Sequence, residues 1–342
     1  MDKLSSIIDK ALSRRSFLAG AGSVAAASVV TGVAGCGSSS KVTPPPPSGY
    51  TDADVLNFAL NLEYLEAQFY LYAATGAGLS ASDTAAPSGY SGAYTEGTVT
   101  VGDAAQVSGL TSQQQEILNE IAYEEQQHVR FLRSALGSAA VPMPSIDLSF
   151  FAPLATAAGI SGTFNPFSSF EYFLVGAFIF EDVGVTAYAG AAPLISSTGV
   201  AAGYLTAAAG ILAVEAYHAA YVRTALTGGA IESSANGAYL TAANQVAALR
   251  AMLTVGNSGA PGTATGNNGQ AGSSTSVETA LALPTSLTSP SSIVACDPQN
   301  ALGFARTVNQ VHHVVYGSPT VGASKGGFFP DGTNSIFSTT TA

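Results

Sequence analysis

Two short strings constrain this 342-residue chain more than anything else in it: Glu125-Gln-Gln-His128 and Glu215-Ala-Tyr-His218. Positions i and i+3 share one face of a helix, so a carboxylate and an imidazole spaced this way can hold the same metal ion. Twelve glutamates and four histidines would produce roughly 0.14 E-x-x-H strings by chance. Two occur, and the likeness runs on, because Phe131 to Leu136 (FLRSAL) lines up with Tyr221 to Leu226 (YVRTAL). An intrahelical contact on a solvated face explains either string alone. It does not explain two in register, which mark an internal repeat.

The flanking pattern supplies more helices. Over Thr51 to Ala74, Leu56, Leu60, Glu63, Ala67 and Tyr70 recur at helical spacing, which puts Glu63 in an apolar stripe where an unpaired carboxylate is costly. Thr51 can cap the start, and Gly76 follows the end. Residues 76–110 turn rich in Gly, Ser, Ala and Tyr and read as an inserted loop, with a hairpin expected around Tyr94 to Val101. The second helix opens at Thr111, with Gln114 as its capping-box partner, and stops at Gly137. Ser138 to Pro166 carries three internal prolines without a sustained period and has the length of a crossover. Ser168 with Glu171 reads as a capping box opening the third helix, in which Glu181 lies among Phe, Ile and Val and needs a partner. Ala201 to Leu226, closed by Gly228 and Gly229, is the fourth helix, and Tyr239 to Leu253, with Arg250 as its one ionisable residue, reads as a packing helix.

Carboxylates on the first and third helices, E-x-x-H on the second and fourth, and one long crossover resemble the ferritin-like di-iron carboxylate proteins. The fold so implied is all-α, a ferritin-like four-helix bundle spanning 51–255, with the 76–110 insertion and a low-complexity and C-terminal extension over 256–342. Phe304 to Gly317 and Gly326-Gly327-Phe328-Phe329-Pro330 resemble the tail of the desiccation-related branch. His312 and His313 lie inside that tail, but adjacent positions point apart, so they read as structural. The resemblance implies a metal set of Glu63, Glu125, His128, Glu181, Glu215 and His218. Its four carboxylates and two imidazoles suit two iron ions, or manganese, better than calcium.

Glu66, three residues from Glu63, is the alternative acid of the first helix. The repeat argues for Glu63. Setting Glu63 against Glu181 puts Tyr70 against Tyr188, each seven residues on, and places Glu66 opposite Gly184, which has no side chain to ligate. Two helical turns bring each phenol onto the face of its acid, where it can hydrogen-bond a ligand. The same spacing occurs in ferritin relatives. Glu66 is then an acid supporting the site or a charge on the helix surface. Glu125, Glu181 and Glu215 should repel one another, raising carboxylate pKa values in metal-free protein.

The N-terminus reads as a leader. Ser13-Arg14-Arg15-Ser16-Phe17-Leu18 and the apolar run behind it resemble a twin-arginine export signal over 1–35, and Val33-Ala34-Gly35-Cys36 resembles a lipobox. Cys36 is the expected lipidation site, and 36–50 a Pro/Ser tether, so the expected location is the periplasm or the envelope, with membrane contact only through that anchor. Loss of the leader removes four basic and two acidic residues, shifting net charge from −11 to −13, which disfavours nucleic acid as a partner. A homodimer is left open. The family implies metal ions with dioxygen or peroxide as reactants, hence ferroxidase, oxidase or peroxide-consuming chemistry. A metal-stabilised desiccation protein without turnover and a tethered envelope scaffold are the other uses.

Overall fold

The computed structural model describes residues 49–103, 106–232, 236–255, 278, 280–281, 293–296 and 301–340. The export signal, Cys36 and most of the 256–292 run lie outside them. Four long helices carry the fold: α1 (Asp52–Thr75), α2 (Ser112–Leu136), α3 (Phe170–Ala191) and α4 (Tyr204–Glu232). Thr51 and Asp54 cap α1 reciprocally, as Thr111 and Gln114 cap α2. Gly76, at φ 78°, ends α1 in the left-handed conformation that glycine adopts without a Cβ clash.

Three local expectations need correction. The capping box from Ser168 does not form: the N-cap is Ser169, which accepts from the Tyr172 amide and leaves Glu171 as a first-turn charge near the positive end of α3. Helix α4 runs through Gly228 and Gly229 instead of stopping, because neither takes the positive φ of a helix stop. No hairpin forms near Tyr94. Val99–Thr100 (β1) pairs in parallel with Ile146–Asp147 (β2), so the strand of the insertion pairs with the crossover.

Hydrogen bonds fix the helix directions. Gln115 at the start of α2 donates to the carbonyl of Ala74 at the end of α1, whereas Asn57 near the start of α1 donates to that of Ala139 just beyond α2. The pair is antiparallel. So are α3 and α4, since Asp182 meets Arg223 while Gly184, further along α3, faces Glu215, earlier on α4. The crossover between the pairs is pinned by Phe151, from its short helix Phe151–Ala157, which joins Phe167, Phe173 and Phe180 around Phe69 of α1.

Burial separates inner from outer helices. Every residue of α1 from Val55 to Tyr70, and of α3 from Phe173 to Gly184, is buried, so both helices are apolar nearly all round. Phe170–Leu194 is long and apolar enough to cross a membrane, but 89% of its most apolar window is buried inside the bundle, which accounts for its composition as core. Helix α5 (Gly237–Val255) packs on α3 and α4, and α6 (Val308–Val315) on α3 and α5. Packing is the role the sequence suggested for α5. The amide of Arg306 donates to the carbonyl of Thr186, laying the C-terminal segment so closely on α3 that a Cβ at Gly190 would overlap the Arg306 carbonyl.

Candidate metal centre

The four long helices bring together six side chains. Ligand atoms of Glu63, Glu125, His128 and Glu215 lie within 4.8 Å of one another, as do those of Glu125, Glu181 and His218. Glu125 belongs to both groups: its Oε2 is 3.5 Å from Nδ1 of His128 and its Oε1 3.0 Å from Nδ1 of His218. Nδ1 of His128 also lies 3.2 Å from Glu63 and 3.5 Å from Glu215, and Nδ1 of His218 lies 3.7 Å from Glu181. All six are buried. Both imidazoles turn Nδ1 inward.

These groups are close but poorly aligned with each other. Eight buried atoms, namely Oε2 of Glu63 and of Glu181, both carboxylate oxygens of Glu125 and of Glu215, and Nδ1 of His128 and of His218, have no hydrogen-bond partner. Unpaired polar atoms are rare in protein interiors, and eight converging on one point fit a bound cation. The donor set of carboxylate oxygen and imidazole nitrogen fits iron or manganese.

Protons stand in for cation charge in the metal-free cluster. Burial raises Glu181 well above the usual carboxylate range, with repulsion from Glu215 and Glu125 added to it, and raises Glu215 to about 8, helped by Glu125. Burial also raises Glu63, against the pull of His128. Glu125 departs from the expected rise. Burial pushes it up, but the imidazoles of His128 and His218 flank it on both sides and hold it down at about 2. Burial disfavours both imidazolium ions, yet the surrounding carboxylates outweigh it, raising His128 strongly and His218 to about 11.

A twofold pattern organises the surroundings. Tyr70 donates to Glu181 and Tyr188 donates to Glu63, so each tyrosine reaches the acid on the opposite helix and not the one on its own. One residue past each of these acids, and five past each histidine, the pattern continues. Arg133 donates to Tyr64 at 2.6 Å, and Arg223 to Asp182 at 2.7 Å. Two positions break the symmetry. Nε2 of His218 is 2.7 Å from the carboxylate of Glu124, whose repeat counterpart is Val214. Such a carboxylate fixes the ring with Nδ1 facing the cluster. Glu66 is the other: it is 5% exposed, which excludes the surface reading, and its carboxyl lies beside Gly184 and faces Glu215. Burial, reinforced by Glu215 and Glu125, raises its pKa far above the usual range.

His312 and His313 stay out of the centre, as their adjacency implied. His312 stacks on Tyr316 and its Nε2 lies 3.3 Å from the Thr333 hydroxyl, while Nδ1 of His313 meets the Ser318 carbonyl at 2.6 Å. Sequence reading missed the buried charge network beside the centre. Asp182 accepts from Arg223 and from Arg250 at 2.8 Å, Arg250 also reaches Glu278 at 2.8 Å, and Glu278 pairs with Arg306. The repeat had aligned Arg133 with Arg223, but it carried no sign of the partner of either.

Comparison with known proteins agrees with this architecture. The chain is 32% identical over 181 residues to the desiccation-related protein PCC13-62 of Craterostigma plantagineum, a match covering 52% of this chain and 53% of that protein. It is also 32% identical over 177 residues to the ferritin-like catalase Nec2 of Nesocodon mauritianus, covering 50% of this chain and 52% of the relative. The chain thus spans about half the length of the curated relatives it matches. Residues 51–228, the stretch holding all four bundle helices as far as Gly228, match the ferritin-like domain, and the chain belongs to that family.

Proposed function

We propose that Glu63, Glu125, His128, Glu181, Glu215 and His218 hold two redox-active metal ions, iron or manganese, and that the centre consumes hydrogen peroxide as a stress defence. The observation that carries this is the convergence of eight buried, unpaired ligand atoms from four helices. The name of the Nesocodon relative supports the peroxide chemistry. Dismutation oxidises one peroxide by two electrons to dioxygen and reduces a second by two electrons to two waters. When bound, a pair of such metals supplies the two-electron redox capacity. The chain's part is to present Glu125 to both positions, to hold Glu181 and Glu63 with Tyr70 and Tyr188, and to fix the His218 ring with Glu124.

A second reading rests on the Craterostigma relative, which is named for desiccation. Here metal stabilises the bundle and nothing turns over. Anaerobic loading with iron(II) or manganese(II), followed by metal analysis and peroxide and oxygen electrodes, separates the two. Two bound ions with peroxide loss and dioxygen release support the enzyme, and two bound ions without turnover support the structural reading. Export and lipidation at Cys36 belong to the same proposal, and mass spectrometry of the membrane-associated chain tests them.

Glu63 rather than Glu66 is the α1 ligand in this proposal. Glu63→Ala should lose one of the two ions, and Glu66→Ala should keep both, as read by metal-to-protein ratio. The opposite result would exchange their roles.

A further inference from the structure

Beside the cluster, where α1 and α3 meet, lies a small cavity with room for about one water-sized molecule. Leu62, Leu65, Val183, Val315 and Phe328 are among its walls, and Glu66 is its one polar lining side chain. Gly184 separates the cavity from the ligands. A Cβ there would overlap Oε2 of Glu215 and sit 3.3 Å from Oε1 of Glu66, so the glycine lets the Glu215 carboxylate pack against the α3 backbone beside Glu66, at the edge of the cavity. This contact falls where the twofold pattern breaks. At equivalent positions α1 supplies an acid, Glu66, and α3 supplies a glycine, Gly184, whose missing side chain leaves room for the Glu215 carboxylate.

We propose that this cavity is the inner port by which hydrogen peroxide reaches the centre, with Glu66 as the positioning residue that hydrogen-bonds and orients it. The inference rests on the peroxide reading above and adds a route and a selectivity. Apolar walls disfavour ions, so the metal itself has to enter elsewhere. The space is that of about one water, so hydrogen peroxide, one heavy atom larger, enters only as the apolar walls give slightly, and an organic hydroperoxide is excluded. Among small oxidants, a carboxyl group favours one with O–H groups over dioxygen, which has none, and a site built around such a contact discriminates strongly when the contact is missing.

The test uses metal-loaded full-length chain with hydrogen peroxide and tert-butyl hydroperoxide. Wild type should prefer hydrogen peroxide by about 100-fold or more in kcat/KM, at the upper end of what pocket size alone achieves. Val315→Phe, which fills the cavity from the C-terminal side, should lower kcat/KM for hydrogen peroxide about 10-fold or more at unchanged metal content. Val315→Ala should narrow the preference. Glu66→Leu should raise KM more than it lowers kcat, and Glu66→Gln, which keeps a hydrogen-bonding group, should recover much of the loss. Krypton-pressurised crystals supply a readout without turnover, with density expected between Leu62 and Val315. Unchanged kinetics in both Val315→Phe and Glu66→Leu, or equal use of the two peroxides by wild type, overturns the port. If fully loaded wild type consumes no peroxide, the functional reading itself fails. Krypton then decides the cavity alone: density retains it as a small-molecule site, and its absence removes it.

Discussion

Stripping metal from the centre should lower the melting temperature by about 10 °C or more and make the remaining stability fall as pH rises. Two ions, each present at about a hundredfold over Kd, contribute roughly 2.7 kcal/mol apiece, and a domain of this size gains about 2–4 °C per kcal/mol. The pH dependence of the metal-free protein follows from the whole cluster, in which Glu63, Glu66, Glu181 and His128 are all raised, and three further groups set its window. Glu215 rises from 4.5 to about 8, so between those values the folded chain keeps a proton that the unfolded chain releases, and stability declines across that window. His218 rises from 6.5 to about 11, so its contribution is complete below 6.5 and is lost as pH climbs toward 11. Glu125 runs the other way. Held at about 2, it stabilises above 4.5 and that support disappears as pH falls toward 2. Metal-free protein should therefore be most stable near the ordinary carboxylate pKa and should lose melting temperature steadily from pH 6 to 9, while metal uptake releases protons. Scanning calorimetry of chelated and loaded protein across that range checks it. Equal melting temperatures at pH 6 and 9 after chelation would contradict the protonated cluster.

Asp182→Asn should cost about 3–5 kcal/mol, the penalty for removing one partner from a buried ion pair. The substitution keeps the shape of the side chain and removes the charge shared by Arg223 and Arg250, both of which are 2% exposed or less. Arg250 keeps the Glu278 carboxylate that it shares with Arg306, but both Arg223 and Arg250 lose the Asp182 carboxylate that they hold in common. The network joins α3, α4, α5 and the C-terminal segment, and its failure should release them together. Urea denaturation measures the effect, with Arg130→Ala as the contrast: that side chain is 44% exposed beside Asp83, and its loss should stay within about 1 kcal/mol. A cost of that small size for Asp182→Asn would show that the network adds nothing to stability.

Which features were legible depended on whether a residue's partner lay on its own helix. The two E-x-x-H strings and the caps at Thr51 and Thr111 are local, and periodicity or a fixed offset exposes them. Glu63 and Glu181 were legible because a carboxylate inside an apolar stripe demands a partner. That Tyr70 would bond Glu181 and not Glu63 was not, since spacing sets the face of a residue and not the helix it meets. Parallel pairing of Val99 with Ile146 brings together residues from two loops with no shared pattern. Glu278 sits in a run of Gly, Ser and Thr that gives no structural signal, yet it anchors two buried arginines. Glu124 was hidden for a different reason: Val214 takes its place in the second repeat, so alignment of the halves points away from it.

The crossed tyrosines also bear on the order in which the chain folds. Tyr70 and Glu181 are 111 residues apart, and Tyr188 and Glu63 are 125 apart. Contacts within α1 and α2, or within α3 and α4, close far shorter loops and are expected first. Neither hairpin alone holds its acids in place, because each depends on a phenol from the other. The centre therefore matures only on docking of the halves, and under the metal-binding proposal above ion capture closes folding and does not nucleate it. A chain stalled before that step has only part of the pocket, with Glu63, Glu125 and His128 on one hairpin and Glu181, Glu215 and His218 on the other.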